Sequence, residues 1–173
     1  MVQKNIFRFM AVPITLPNPE LTAAGRAYRE QLVREGGSIV VKKTKAGTLC
    51  RRFRPWLAGL SPKARGRVAD LIFSAFTSCR SLKETAKDLK TIRGGCEGTA
   101  YRIARREIRR LQHERDFLQF RERGIRQGIW RIDLEEGVHT GRSGKLFAID
   151  DPIWTELDLE GCICWCEPVV TDL

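Results

Sequence analysis

A chain of 173 residues with 31 Lys and Arg against 21 Asp and Glu carries a formal charge of +10 and a pI near 9.7, which fits one domain, or a domain with an appendage, attracted to polyanions such as a phosphate backbone. No window approaches the run of about 18 apolar residues that a membrane span needs, and six cysteines in a chain this large do not make the disulfide framework of a small secreted domain. Charge interrupts Met1 to Met10 too early for a secretory h-region, so the expected compartment is a reducing cytoplasm.

In chain order, Ile6, Phe7, Phe9, Met10 and Val12 alternate loosely before Pro13, Pro17 and Pro19, which predicts a short strand or arm and then a loop. From Glu20 to Glu35, Leu21, Ala24, Tyr28, Leu32 and Val33 recur at helical spacing and Gly36-Gly37 supplies a stop, so one amphipathic helix is expected. Ser38 to Lys43 is β-branched and then cationic, Thr44 to Gly47 is turn-like, and Thr48 to Arg54 resumes an extended pattern. The product is a basic hairpin whose Lys42, Lys43, Lys45, Arg51, Arg52 and Arg54 either touch phosphate or keep an edge strand from aggregating.

Helical signals dominate from Pro55 to Arg126. Ser61 is placed to cap a first helix, with Pro62 at its favoured first position and Val68, Leu71, Ile72, Ala75 and Phe76 along one face. Ser81 is placed to cap a second, Leu82 to Leu89, with Glu84 at the capping-box position. Gly94-Gly95-Cys96-Glu97-Gly98 breaks the pattern, and a long helix then runs from Thr99 through Ala100, Ile103, Ala104, Ile108 and Leu111 toward Phe117 and Leu118.

Beyond Gly124 the texture shortens: Ile129 to Ile132, Leu146 to Ile149 and Cys162 to Cys166 are strand candidates between glycines, Asp150-Asp151-Pro152 and Glu160-Gly161. The chain therefore divides into an N-terminal strand, helix and hairpin segment (1–54), a helical core (55–126) and a small β-rich C-terminal region (127–173). The expected class is mainly α with a small β part (α+β), built on a helix-turn-helix core with a β-rich appendage.

The long helix carries the functional expectation. Arg102, Arg105, Arg106, Arg109 and Arg110 recur at three- to four-residue spacing on what reads as the face opposite the apolar stripe. Guanidinium forks suit phosphate oxygens and the acceptor edge of guanine. Glu107, Glu114 and Asp116 lie near enough in sequence to pair with some of them, which is the reading as a solvated charged face.

Leu60-Ser61-Pro62-Lys63-Ala64-Arg65, then Ser81 to Leu89 with its Glu84-Thr85-Ala86, then Gly98-Thr99-Ala100 opening the arginine-rich run to Leu111, make a motif set over about a third of the chain. It resembles the promoter-reading fourth region of bacterial RNA polymerase sigma factors and phage late-gene activators of similar build. The resemblance implies duplex DNA binding by the helix from Thr99, and contact with RNA polymerase.

Other candidates carry less. Gly94 to Gly98 opens a helix as an anion loop would, but lacks the Gly-Lys-Ser/Thr ending of a nucleotide P-loop. Cys162, Cys164 and Cys166 alternate along a strand, and His139 or another Cys would complete a tetrahedral set, yet the spacing is not Cys-x-x-Cys and the thiols read as small core residues. His113 and His139 stand in unrelated contexts, and Glu135-Glu136 and Asp150-Asp151 read as solvated turns. No catalytic residue, metal ligand or cofactor is assigned, and an enzyme is not expected.

The expectation is a DNA-binding transcription regulator of a phage or mobile element, with Thr99, Arg102, Arg105, Arg106, Arg109 and Arg110 at the duplex and the hairpin's basic residues adding salt-sensitive affinity. Two alternatives stay open. One is an RNA-binding ribonucleoprotein subunit, with Trp130, Trp154 or Trp165 stacking on bases or packing on a partner. The other is a basic protein that docks on and modulates another protein complex.

Overall fold

The computed structural model describes residues 18–36, 39–43, 49–132, 139–158 and 164–170. The chain is α+β: four helices and two small antiparallel sheets are formed by the described residues. Helix α1 spans Asn18–Glu35, and strands β1 (Ile39–Lys43) and β2 (Leu49–Phe53) pair antiparallel with Val41 opposite Arg51. The expected turn of this hairpin, and Lys45 with it, lies outside the described residues.

A short 3-10 turn, Pro55–Leu57, leads to α2 (Pro62–Thr77), α3 (Leu82–Arg93) and α4 (Glu97–Glu122). Both predicted serine caps form: Ser61 Oγ accepts from the Ala64 backbone N–H at 3.2 Å, and Ser81 Oγ accepts from Glu84 N–H at 3.3 Å. Helix α3 runs four residues past the expected Leu89, because Ile92 still packs against the core and the stop comes only at Gly94. Gly94 sits at φ +77° and Gly95 at φ +86°, backbone conformations that a side chain strongly disfavours. The connection from α3 to α4 is therefore the three residues Gly94 to Cys96, shorter than the stretch between the expected helix end at Leu89 and the expected start at Thr99.

The helices enclose one core. Tyr28 and Leu32 of α1, Trp56 and Leu57, Val68, Ala69, Ile72 and Phe76 of α2, Ala86 and Leu89 of α3, and Ala100, Ile103, Ala104 and Leu111 of α4 are its buried members. Helix α1, which the sequence groups with the hairpin, thus shares its apolar face with the other three helices. Arg65 of α2 donates to the Val33 carbonyl at 3.2 Å and ties the two helices further.

A second core follows. Strand β3 (Gln127–Ile132) is central between β4 (Leu146–Ala148) and β5 (Cys164–Pro168), both antiparallel to it. Phe117 of α4, Trp130, Ile149, Ile153, Trp154, Leu157 and Cys164 fill it, and the rings of Trp130 and Trp154 stack at 5.1 Å with an interplanar angle of 9°. Gly128 has no room for a Cβ, because Cys166 Sγ occupies that place. Asp151 Oδ1 caps the 3-10 turn Pro152–Asp158 by accepting from Ile153 N–H at 2.8 Å, so this half of the acidic pair has a local structural job. Among the described residues, no helix is long and apolar enough to cross a membrane.

Candidate nucleic-acid interface

Helix α4 divides its arginines between solvent and interior. Ala100, Ile103, Ala104 and Leu111 point into the first core. Arg102 and Arg105 are exposed, Arg106 and Arg109 half-buried. Arg110 is 2 % exposed, which corrects the expectation that it projects with the others. The reason is angular: Arg110 follows Ile103 by seven residues and Glu107 follows it by four, so both fall on the apolar stripe.

Glu107 receives what the stripe brings to it. Arg54 Nε lies 3.0 and 3.1 Å from its two oxygens, Tyr28 Oη donates to Oε2 at 3.1 Å, and Arg110 Nη1 lies 3.4 Å from Oε2. Arg54 Nη1 also pairs with Glu35, while Arg110 reaches Gln31 at 2.8 Å and Glu114 at 3.2 Å. Among the described residues, two buried carboxylates face two buried guanidinium groups here. Burial pulls the Arg54 pKa down, but Glu107, Tyr28 and Glu35 together hold it above the ordinary arginine value. Burial, and then the Glu107 charge, push the Tyr28 phenol well above its ordinary pKa of 10.0, so it stays protonated and donates. Arg54 is 1 % exposed, which corrects its assignment to a phosphate-contacting hairpin.

Arg109 is engaged as well: Nη2 donates to the backbone carbonyl of Cys164 at 2.6 Å and links α4 to β5. The open part of the predicted set is therefore Arg102 and Arg105, with Arg106 beside them. Thr99 is half-buried at the helix start, where its hydroxyl lies 3.1 Å from the Sγ of Cys96, the N-cap residue. That hydroxyl and the Thr99 backbone N–H lower the Cys96 thiol pKa, with Arg102 adding to the effect.

The neighbouring helix supplies cations that the sequence reading passed over. Lys83, Lys87 and Lys90 are exposed on α3 at spacings of four and three, so they share one side of that helix. Lys63 and Arg67 are exposed on α2. Arg80 is partly spoken for, with Nη1 2.7 Å from Asp88 Oδ2. On the hairpin, the backbone places Lys42 opposite Cys50, Lys43 opposite Leu49, and Arg51 and Arg52 opposite Val41 and Val40.

Away from this face, Trp130 and Trp154 are enclosed in the second core, which leaves Trp165, half-buried on β5, as the member of that tryptophan set with exposed surface. His139, expected in a turn, is also enclosed, with Nδ1 3.7 Å from Cys164 Sγ and Nε2 3.1 Å from Glu156 Oε2. Burial, and then Arg142, lower its pKa, against a smaller opposing effect of Glu156. Sequence gave no local sign of this meeting, since 25 residues separate His139 from Cys164. Compared with protein-family models, with curated proteins and with solved structures, the chain has no match.

Proposed function

We propose that the chain binds nucleic acid, duplex DNA in preference to RNA, through the N-terminal half of α4, as a transcription regulator of helix-turn-helix type. The observation that carries this is the pairing of exposed Arg102 and Arg105 on α4 with a three-residue glycine turn and a preceding helix bearing Lys83, Lys87 and Lys90. A short helix, a tight turn and a second helix rich in exposed guanidinium groups suit entry into a major groove, and the lysines add contacts to phosphate. The buried Arg54 and Arg110 support the fold that presents this face.

Fluorescence anisotropy with random duplex DNA, single-stranded DNA and structured RNA at two salt concentrations tests the proposal. Tight, salt-sensitive binding to duplex is expected. Replacing Arg102 and Arg105 together by Ala should flatten the slope of log K against log salt by about two counterions. Absence of binding to any of the three at low salt overturns it.

A second reading rests on Tyr101, 40 % exposed immediately before Arg102 and one turn before Arg105. Tyrosine and arginine together are the side chains that anchor protein interfaces. Under this reading the face docks on another protein complex, RNA polymerase included, and Tyr101→Ala removes that association while the chain shows no salt-dependent affinity for nucleic acid.

A further inference from the structure

The far end of α4 carries a basic cluster that the candidate interface does not use. Arg121, Arg123 and Arg126 are exposed and close in sequence, against the single carboxylate of Glu122 between them. The other arginines from Arg109 to Arg142 are engaged: Arg109 with the Cys164 carbonyl, Arg110 with Glu107 and Glu114, Arg115 with Asp116, Arg131 with Glu167 and Arg142 with Glu156. Among the described residues, the side chains of Arg121, Arg123 and Arg126 have no hydrogen-bond or ion-pair partner.

The backbone beneath them is fixed. Gly124, at φ +72°, donates its N–H to the Arg121 carbonyl at 3.0 Å, and Ile125 N–H donates to the Phe120 carbonyl at 2.9 Å. These are the two bonds of a glycine-closed helix end, and Phe120 and Ile125 both pack against the second core. The Arg126 carbonyl accepts in turn from Ile149 N–H at 2.9 Å. Cations in a last turn offset the negative end of a helix, which accounts for Arg121 and Arg123. Arg126 lies beyond the helix, next to the start of β3, where that effect has faded.

Arg123 follows Arg105 by five turns of helix, so the two leave α4 on the same side, about 27 Å apart along its axis. Strand β5 meets α4 between them, at Arg109, which makes the cluster a separate contact from the first. Each strand of a duplex carries a phosphate about every 3.4 Å, so about eight phosphates cover that separation. Guanidinium forks on a fixed backbone, with no carboxylate to satisfy them, suit phosphate oxygens.

We propose, on the nucleic-acid reading above, that Arg121, Arg123 and Arg126 hold the phosphate backbone of the same duplex that Arg102 and Arg105 enter, outside the groove contact. Anisotropy of the full chain over a salt series, with a labelled duplex long enough to span both clusters, tests this. Arg121→Ala, Arg123→Ala and Arg126→Ala together should flatten the slope of log K against log salt by about three counterions, and Arg126→Ala alone by about one. Lys at the same three positions should keep the wild-type slope. Removing two exposed arginines of α1, by Arg26→Ala with Arg34→Ala, should leave it unchanged. Donor- and acceptor-labelled duplexes mixed with the chain should show no energy transfer. An unchanged slope in the triple alanine variant, an equal loss per charge in the α1 variant, or transfer between duplexes, which would put a second duplex on the cluster, overturns the proposal. Wild type that binds no duplex sinks the nucleic-acid reading as well, whereas wild-type binding with a slope insensitive to the triple substitution sinks the second contact alone.

Discussion

The two cores solve the burial of polar groups differently. In the helical core, Glu35, Arg54, Glu107 and Arg110 come from α1, the end of the hairpin and α4, and both guanidinium groups converge on the Glu107 carboxylate. In the C-terminal core, aromatic rings fill the space, and the polar line from Cys164 through His139 to Glu156 and Arg142 lies along its edge. The first is an ion-pair network that joins three elements. The second encloses a thiol and an imidazole side by side among aromatic rings. Buried charge is therefore not by itself a sign of function here: what distinguishes the cores is the type of group enclosed.

Substitutions that sharpen this contrast are ordered by expected effect. Arg54→Ala leaves Glu35 and Glu107 inside with too little positive charge and should destabilise by about 3–5 kcal/mol, measured by urea denaturation. Arg105→Ala, on the exposed face, should stay within about 0.5 kcal/mol of wild type. Equal losses would mean that the two arginines have similar environments.

Trp130→Ala removes half of the stacked indole pair and should cost about 3–5 kcal/mol as well. The informative readout is the comparison of probes in a Trp56→Phe background, tryptophan fluorescence for the C-terminal core and far-ultraviolet circular dichroism for the helices. Coincident transitions in the wild type would make the cores one cooperative unit, and separated ones would make them two.

Tyr28→Phe gives a pH-dependent difference. Because the folded chain raises the Tyr28 pKa above 10.0, the unfolded state loses its proton first as pH rises. The tyrosine's contribution is therefore complete below about pH 10 and is lost as pH climbs toward the folded value. Wild type and Tyr28→Phe should differ in melting temperature at neutral pH and converge in alkali, and a constant difference would show that the phenol titrates normally in the fold. Smaller losses belong to the caps: Ser61→Ala and Ser81→Ala should each lower stability by about 1 kcal/mol, additively, since they cap different helices.

Much of the fold was legible in the sequence because its signals are local. Ser61-Pro62 and Ser81 start helices within three residues of themselves, and the β-branched and aromatic runs that become β1 and β3 lie between visible breakers. The end of α3 was read early because burial of Ile92 depends on the other helices, which local pattern does not contain. The interface was half legible. Arg110 could have been separated from Arg102 and Arg105 by its seven-residue spacing from Ile103, but the burial of Arg54 depends on carboxylates 19 and 53 residues away. The His139 and Cys164 meeting is likewise set by strand pairing around β3 and not by any short motif.

Helix α4 belongs to both cores: Ala100, Ile103, Ala104 and Leu111 line the first and Phe117 enters the second, within one unbroken helix of 26 residues. At 1.5 Å per residue it is a strut about 39 Å long. If the two cores unfold as one unit, a load applied at the arginine-bearing end is carried along the backbone ladder to Phe117 rather than absorbed at a hinge. In that case the amide hydrogens between Leu111 and Phe117 should exchange only with global unfolding.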